Sequence, residues 1–143
     1  MCNEQGLVLD DMIIYRDVDK TLVVVNASNR EKMVDWMKSH LAEGVQMTDR
    51  SMQTALIALQ GPQSQSLLEG HYLAAQGVCL NDIPYYGFSY GKVFGVDCLV
   101  ARTGYTGEDG FELYCDWNQA GIIWKGLLDL GIAPIGLGAR DTL

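Results

Sequence analysis

The stretch Thr54-Ala-Leu-Ile-Ala-Leu-Gln60, followed at once by Gly61-Pro62-Gln-Ser-Gln65, decides the fold class. Seven mostly apolar residues read as a strand, and Gly61-Pro62 breaks it. Proline suits the first turn of a helix because its missing N–H has no partner there anyway. The spacing therefore predicts a helix over Gln63 to His71. Further on, Pro84 to Gly95 (PYYGFSYGKVFG) and Val96 to Arg102 read as a hairpin turning at Gly95. Phe111 to Cys115 is another short strand. Asp116 or Asn118 caps an amphipathic helix running to Leu130, with Ile122, Ile123, Trp124, Leu127 and Leu128 on it. Gly131 stops that helix, and Ile132 to Ile135 is expected to return as a strand. Strand, helix, hairpin, helix, strand is a split β-α-β plan, ferredoxin-like with an additional strand. The fold class expected is α+β, with mostly antiparallel sheets and helices packed on them.

Upstream, Gly6 to Arg16 (GLVLDDMIIYR) is apolar on both faces apart from two aspartates, as a buried strand would be. Asp17 to Lys20 forms a polar turn, and Thr21 to Asn26 (TLVVVN) is a second, β-branched strand. Ser28 or Asn29 can cap a helix over Arg30 to Ala42, which Gly44 ends, and its apolar face is expected to pack on the hairpin. Val45 to Thr48 is a candidate short strand. Residues 1–52 thus form a partial hairpin-and-helix lobe, and residues 53–143 the ferredoxin-like lobe. The chain stops just after Gly136-Leu-Gly-Ala-Arg-Asp141, a segment expected to launch a helix, so the second lobe is expected to be truncated at its C-terminal end.

Composition excludes several classes of function. Hydrophobic residues make up 48% of the chain and charged residues 20%, enough for a real core. A net charge of −8 with scattered Lys and Arg disfavours nucleic acid and anionic membranes, which need a clustered positive field. No apolar run reaches the roughly 20 residues of a membrane helix, and no signal-peptide pattern opens the chain. Cys2, Cys79, Cys98 and Cys115 form no C-x-x-C pair, so no zinc site is expected. Free thiols at Cys98 and Cys115, buried in strands, fit a reducing compartment, taken as cytoplasmic.

Three segments could carry chemistry. Arg102 to Glu112 (RTGYTGEDGFE) sets glycines at 104, 107 and 110 around an aromatic ring, a hydroxyl and acids. Its spacing is not that of a dinucleotide-binding fingerprint. Strand alternation puts Glu112 beside Tyr114, where a carboxylate could accept from an amino-pyrimidine edge or simply be solvated. The second segment is Asp10-Asp11, where burying either acid would need compensating partners. Alternation sends the two to opposite faces and leaves open which one points inward. A partly desolvated aspartate there could take or position a proton. The third is Gly136 to Asp141, where Asp141 could cap a helix and Arg140 fork onto an anion, or the two could form a structural pair. Asn26 is either a turn former or a polar contact at a cavity rim.

Taken together and in order, GLVLDDMIIYR, TLVVVNASNREK, ALIALQGPQSQ, ARTGYTGEDGFELY and PIGLGARDTL resemble successive blocks of the glycine cleavage T-protein family. One departure is Leu7, where the family usually has a second glycine before the Asp-Asp strand. The resemblance implies an aminomethyltransferase that takes the one-carbon unit from the aminomethyl-lipoyl arm of the H-protein to tetrahydrofolate. Ammonia is released, and 5,10-methylenetetrahydrofolate and reduced lipoyl remain. It further implies Asp11 as the catalytic carboxylate and Glu112 as the grip on the pterin amino-pyrimidine edge. Asn26, Tyr105 and Arg140 would line the folate pocket, with Tyr15 nearby. Tetrahydrofolate is then the co-substrate, lipoylated H-protein the partner, and no metal is implied. The folate-binding domain of a sarcosine or dimethylglycine dehydrogenase is the nearest alternative, and RTGYTGEDGFE with GLGARDTL favours the T-protein family over it. A non-catalytic folate-binding or iron–sulfur assembly relative would be expected to lack the aspartate pair.

Overall fold

The computed structural model describes residues 1–75 and 77–143. These form two compact units, Met1–Asp49 and Arg50–Leu143.

In the first unit, β1 (Met12–Arg16) pairs antiparallel with β2 (Thr21–Val25), Met12 opposite Val25 and Arg16 opposite Thr21. The turn between them closes as expected, with the Asp17 N–H donating to the Lys20 carbonyl at 2.9 Å. The first strand is shorter than the sequence predicts. Leu7 and Val8 are exposed, because that segment folds back on the N-terminus: Leu9 N donates to Met1 O and Val8 bridges Cys2. A 3-10 turn (Ala27–Asn29) leads into α1 (Arg30–Ser39), whose Met33 is fully buried. This helix ends before Ala42. Ser39 Oγ and His40 Nδ1 both reach the Trp36 carbonyl, at 2.9 and 2.8 Å, taking an acceptor that the next turn needs. Val45 to Thr48 is not a strand. A run of four residues forms one only where a neighbour completes the ladder, and none does so among the described residues.

The second unit is a five-stranded sheet in the order β3-β7-β6-β5-β4, antiparallel at every step. Its strands are β3 (Thr54–Gln60), β4 (Tyr72–Ala74), β5 (Phe88–Val93), β6 (Val96–Ala101) and β7 (Gly110–Asp116). Four antiparallel steps separate β3 from β4, so these two run parallel, joined through α2 (Ser64–Glu69). That makes a β-α-β unit with three strands inserted between its arms, and its second arm is β4, a strand the expected plan did not contain. The return strand at Ile132 to Ile135 does not form. Ile132 N is taken by the Leu127 carbonyl at the end of α3 (Ala120–Asp129), and Pro134 has no N–H to give a ladder. The strand missing from the sequence reading is β4, three residues long and too short to show a period.

Alternation divides the sheet into two faces. Ile57, Leu59, Val93, Val96, Cys98, Val100, Phe111, Leu113 and Cys115 pack with Leu68 of α2 and with Ile123 and Leu127 of α3 as one core. Cys98 and Cys115 are free thiols opposite each other across β6 and β7. Burial, then the neighbouring Cys115, pushes the Cys98 thiol up to about 12. The opposite face carries two rows: Phe88, Ala101, Glu112 and Ala58, then Tyr90, Leu99, Tyr114 and Leu56. Leu113→Ala is expected to cost about 2–5 kcal/mol in a denaturant titration. Leu56→Ala, on the opposite face and 44% exposed, should cost under about 1 kcal/mol.

Candidate functional site

The Asp10-Asp11 pair sits just before β1, where the chain is not in a strand, so alternation does not sort the two acids. Hydrogen bonding does. Asp10 is 5% exposed and accepts from Asn26 N (3.1 Å), Asn26 Nδ2 (2.9 Å) and Asn29 Nδ2 (2.7 Å). Burial alone pushes its carboxyl up. The donations from Asn26 and Asn29, with the charge of Lys32, outweigh that and hold it below the usual carboxylate range. Asp11 is exposed, and its carboxylate accepts from Asn26 Nδ2 at 2.6 Å. The inward acid is therefore Asp10, and Asp11 faces outward. Asn29 stands at the N-cap of α1 but makes no side-chain cap there; its amide goes to Asp10 instead. Tyr15 is buried in β1.

Glu112 is the exception on its sheet face, a carboxylate 5% exposed among alanine and aromatic neighbours. Thr103 Oγ1 donates to Glu112 Oε2 at 2.5 Å, and Tyr114 Oη donates to the same oxygen at 3.1 Å. Among the described residues Oε1 keeps its acceptor capacity.

The loop feeding Glu112 is held from two sides. Arg102 forks onto Asp109, Nε to Oδ1 at 2.8 Å and Nη2 to Oδ2 at 2.7 Å, and also reaches Gln65 and the Ile83 carbonyl. Inside the loop, Gln60 Nε2 donates to the carbonyls of Thr103 (3.1 Å) and Phe111 (3.4 Å). A Cβ at Gly104 would lie 2.0 Å from the Gln60 side chain, and one at Gly110 2.5 Å. Those two glycines make room for Gln60. Only Gly107, at φ +73°, uses the left-handed region. Sequence reading missed Gln60, which ends an apolar strand like any turn-flanking polar residue.

Tyr105 and Arg140 come together, the guanidinium 5.4 Å from the ring centroid. Arg140 ends the short α4 (Leu137–Arg140), and its Nη1 also meets Asp141 at 3.2 Å. Asp141 thus sits at the C-terminal end of α4 and does not cap its start. Two open clefts lie elsewhere on the second unit. One of about 340 Å³ runs between Gly61–Ser64 and Leu130–Ala133, and one of about 520 Å³ lies beside Leu56, Trp124 and Ile135. Neither is lined by Tyr105, Glu112 or Arg140. Among the described residues no group of His, Cys, Asp or Glu is placed to hold a metal ion, and no helix is long and apolar enough to cross a membrane.

The family model described as the GCVT N-terminal domain matches residues 1–143. The chain belongs to that family. It is 46% identical to the aminomethyltransferase of Halalkalibacterium halodurans over 149 residues, covering all of this chain and 40% of that protein. The aminomethyltransferase of Thermotoga maritima is 46% identical over 148 residues, covering 99% of this chain and 40% of its own length. That of Halothermothrix orenii is 42% identical, again over all of this chain and 40% of the relative. The chain therefore spans about 40% of the length of the curated relatives it matches.

Within this GCVT N-terminal domain the Arg102–Asp109 fork gives a pH signature. The hydrogen bond from Arg102, then its charge, holds the Asp109 carboxyl below its ordinary value. A lowered folded-state value stabilises above the unfolded aspartate value of about 3.9 and is lost as pH falls through the lowered one. Asp109→Asn should therefore be less stable than the parent chain at neutral pH. In thermal melts the gap should narrow once the pH drops below about 4.

Proposed function

We propose that this chain supplies the acid/base carboxylate and the folate-gripping carboxylate of a glycine cleavage aminomethyltransferase. The reaction carries the one-carbon unit from the aminomethyl-lipoyl arm of H-protein to tetrahydrofolate. Ammonia leaves, 5,10-methylenetetrahydrofolate forms, and the lipoyl arm is left as the dithiol. The family match and the names of the relatives support the transfer class.

The observation that carries the reading is Asp11, an exposed carboxylate held at 2.6 Å by Asn26 beside a buried, hydrogen-bonded aspartate. Transfer needs a proton delivered to the departing amine and a proton removed from the folate nitrogen that attacks. A carboxylate of fixed orientation and open access can do both. Glu112 suits a different task. With Oε2 engaged by Thr103 and Tyr114, Oε1 can accept from the N–H groups of an amino-pyrimidine edge. Arg140 stacked on Tyr105 offers a cation and an aromatic face to an anionic, planar ligand such as a folate.

The two carboxylates should separate cleanly in the intact protein, assayed with aminomethyl-loaded H-protein. Asp11→Asn should lower kcat by about 10²–10⁴-fold while calorimetry shows tetrahydrofolate binding little changed. Glu112→Gln should weaken tetrahydrofolate binding by about ten- to a hundredfold. Full turnover in the first variant and unchanged affinity in the second would contradict the assignment. The 143-residue chain alone should bind folate weakly at best and show no turnover, because a site needs its surrounding shell to be preorganised.

A further inference from the structure

Asp10 and Asn29 have no part in the reaction proposed above, yet with Asn26 they make a closely paired polar cluster in the first unit. Asp10 grips Asn26 twice, accepting from its main-chain N on Oδ2 and from its side-chain Nδ2 on Oδ1. Asn29, from the 3-10 turn Ala27–Asn29, adds a donation to Oδ1 at 2.7 Å. Asn26 Nδ2 then reaches across to Asp11 Oδ1 at 2.6 Å and to the Asp11 carbonyl at 3.2 Å.

An asparagine amide has two hydrogens, and here they meet three oxygens of two aspartates. The flipped amide would set its own oxygen against two carboxylates, so electrostatics fixes its orientation. Asn26 has no N–H left for a ligand; it can offer only its oxygen. Among the described residues Asn26 is also the side-chain partner of the Asp11 carboxylate. Closing the end of a hairpin does not require a buried charge, since apolar packing does that at lower desolvation cost. A buried anion that aims an amide at an exposed carboxylate accounts for the whole cluster.

We infer that Asp10 is a positioning residue: with Asn29 it locks Asn26 as a bracket that sets the direction of the Asp11 carboxylate. This rests on Asp11 being the acid/base group of the proposed transfer. It moves Asn26 from the pocket lining to the support behind the catalytic group.

A double-mutant cycle on the intact protein tests it. Asp10→Asn should lower kcat by about ten- to a hundredfold, as misplacing a reacting group does, with the Kd for tetrahydrofolate within about twofold. In an Asp11→Asn background the same change should cost no further turnover, because the group it positions is already gone. Losses that multiply, or a kcat unchanged by Asp10→Asn, overturn the positioning role and leave the function standing. If Asp11→Asn itself keeps full turnover, the function fails and the inference with it. Should circular dichroism show Asp10→Asn unfolded, Asn29→Ala carries the same cycle. It removes one donor and should lower kcat by about three- to tenfold, again only when Asp11 is present.

Discussion

A carboxylate taken out of water must find donors for its oxygens, and that requirement organises both units. Asp10, just before β1, gathers Asn26, just after β2, and Asn29 of the 3-10 turn around its two oxygens. Without those donors its burial would cost several kcal/mol. With them the carboxyl stays charged, and the Asn26 amide has one orientation open to it. Glu112 imposes the same demand on the second sheet. Thr103, two residues past β6, and Tyr114, two residues beyond Glu112 on β7, both converge on Oε2.

The glycine-rich loop between β6 and β7 follows from that demand. Thr103 must be held where its hydroxyl reaches Glu112, and the loop is braced to hold it. Gln60 fills the loop from within, binding the carbonyls on both sides of it, and Gly104 and Gly110 give the room it needs. Outside, the Arg102–Asp109 fork ties the loop's two ends together, and Gly61 N donates to the Asp109 carbonyl at 2.8 Å. Edge strand, loop and central strand thus become one rigid frame. Tyr105 projects from its tip, half exposed, under the Arg140 guanidinium.

Much of this was legible in the sequence, for reasons that differ by element. Thr54–Gln60 and the hairpin turning at Gly95 follow local rules of alternation and turn chemistry, whereas Asp116 caps the 3-10 turn Trp117–Gln119 ahead of α3 and not α3 itself, whose N-cap is Gln119. Those rules act within a few residues, so they hold before any tertiary contact forms. Glu112 facing Tyr114 was likewise a matter of period two. What was hidden depended on partners far along the chain. Strand alternation could not sort Asp10 from Asp11, because the choice is made by Asn26 and Asn29, sixteen and nineteen residues on. Asn29 reads as a helix cap until a buried acid competes for its amide. Ile132 to Ile135 reads as a strand by composition, yet Pro134 and the closing turn of α3 deny it a ladder. Gln60 was invisible because close approach to glycine leaves no trace in spacing.

In the proposed reaction Glu112 keeps one oxygen for a ligand while Thr103 and Tyr114 hold the other, and Asp11 is the acid left open to the reacting atoms. A crystal structure of the intact protein with tetrahydrofolate bound tests it most directly. The pterin amino-pyrimidine N–H groups are expected within hydrogen-bond distance of Glu112 Oε1, about 2.7–3.0 Å. The Asp11 carboxylate is expected to face the folate nitrogens with its Asn26 bond intact. Folate bound away from Glu112, or Asp10 in place of Asp11 turned toward it, would contradict the account.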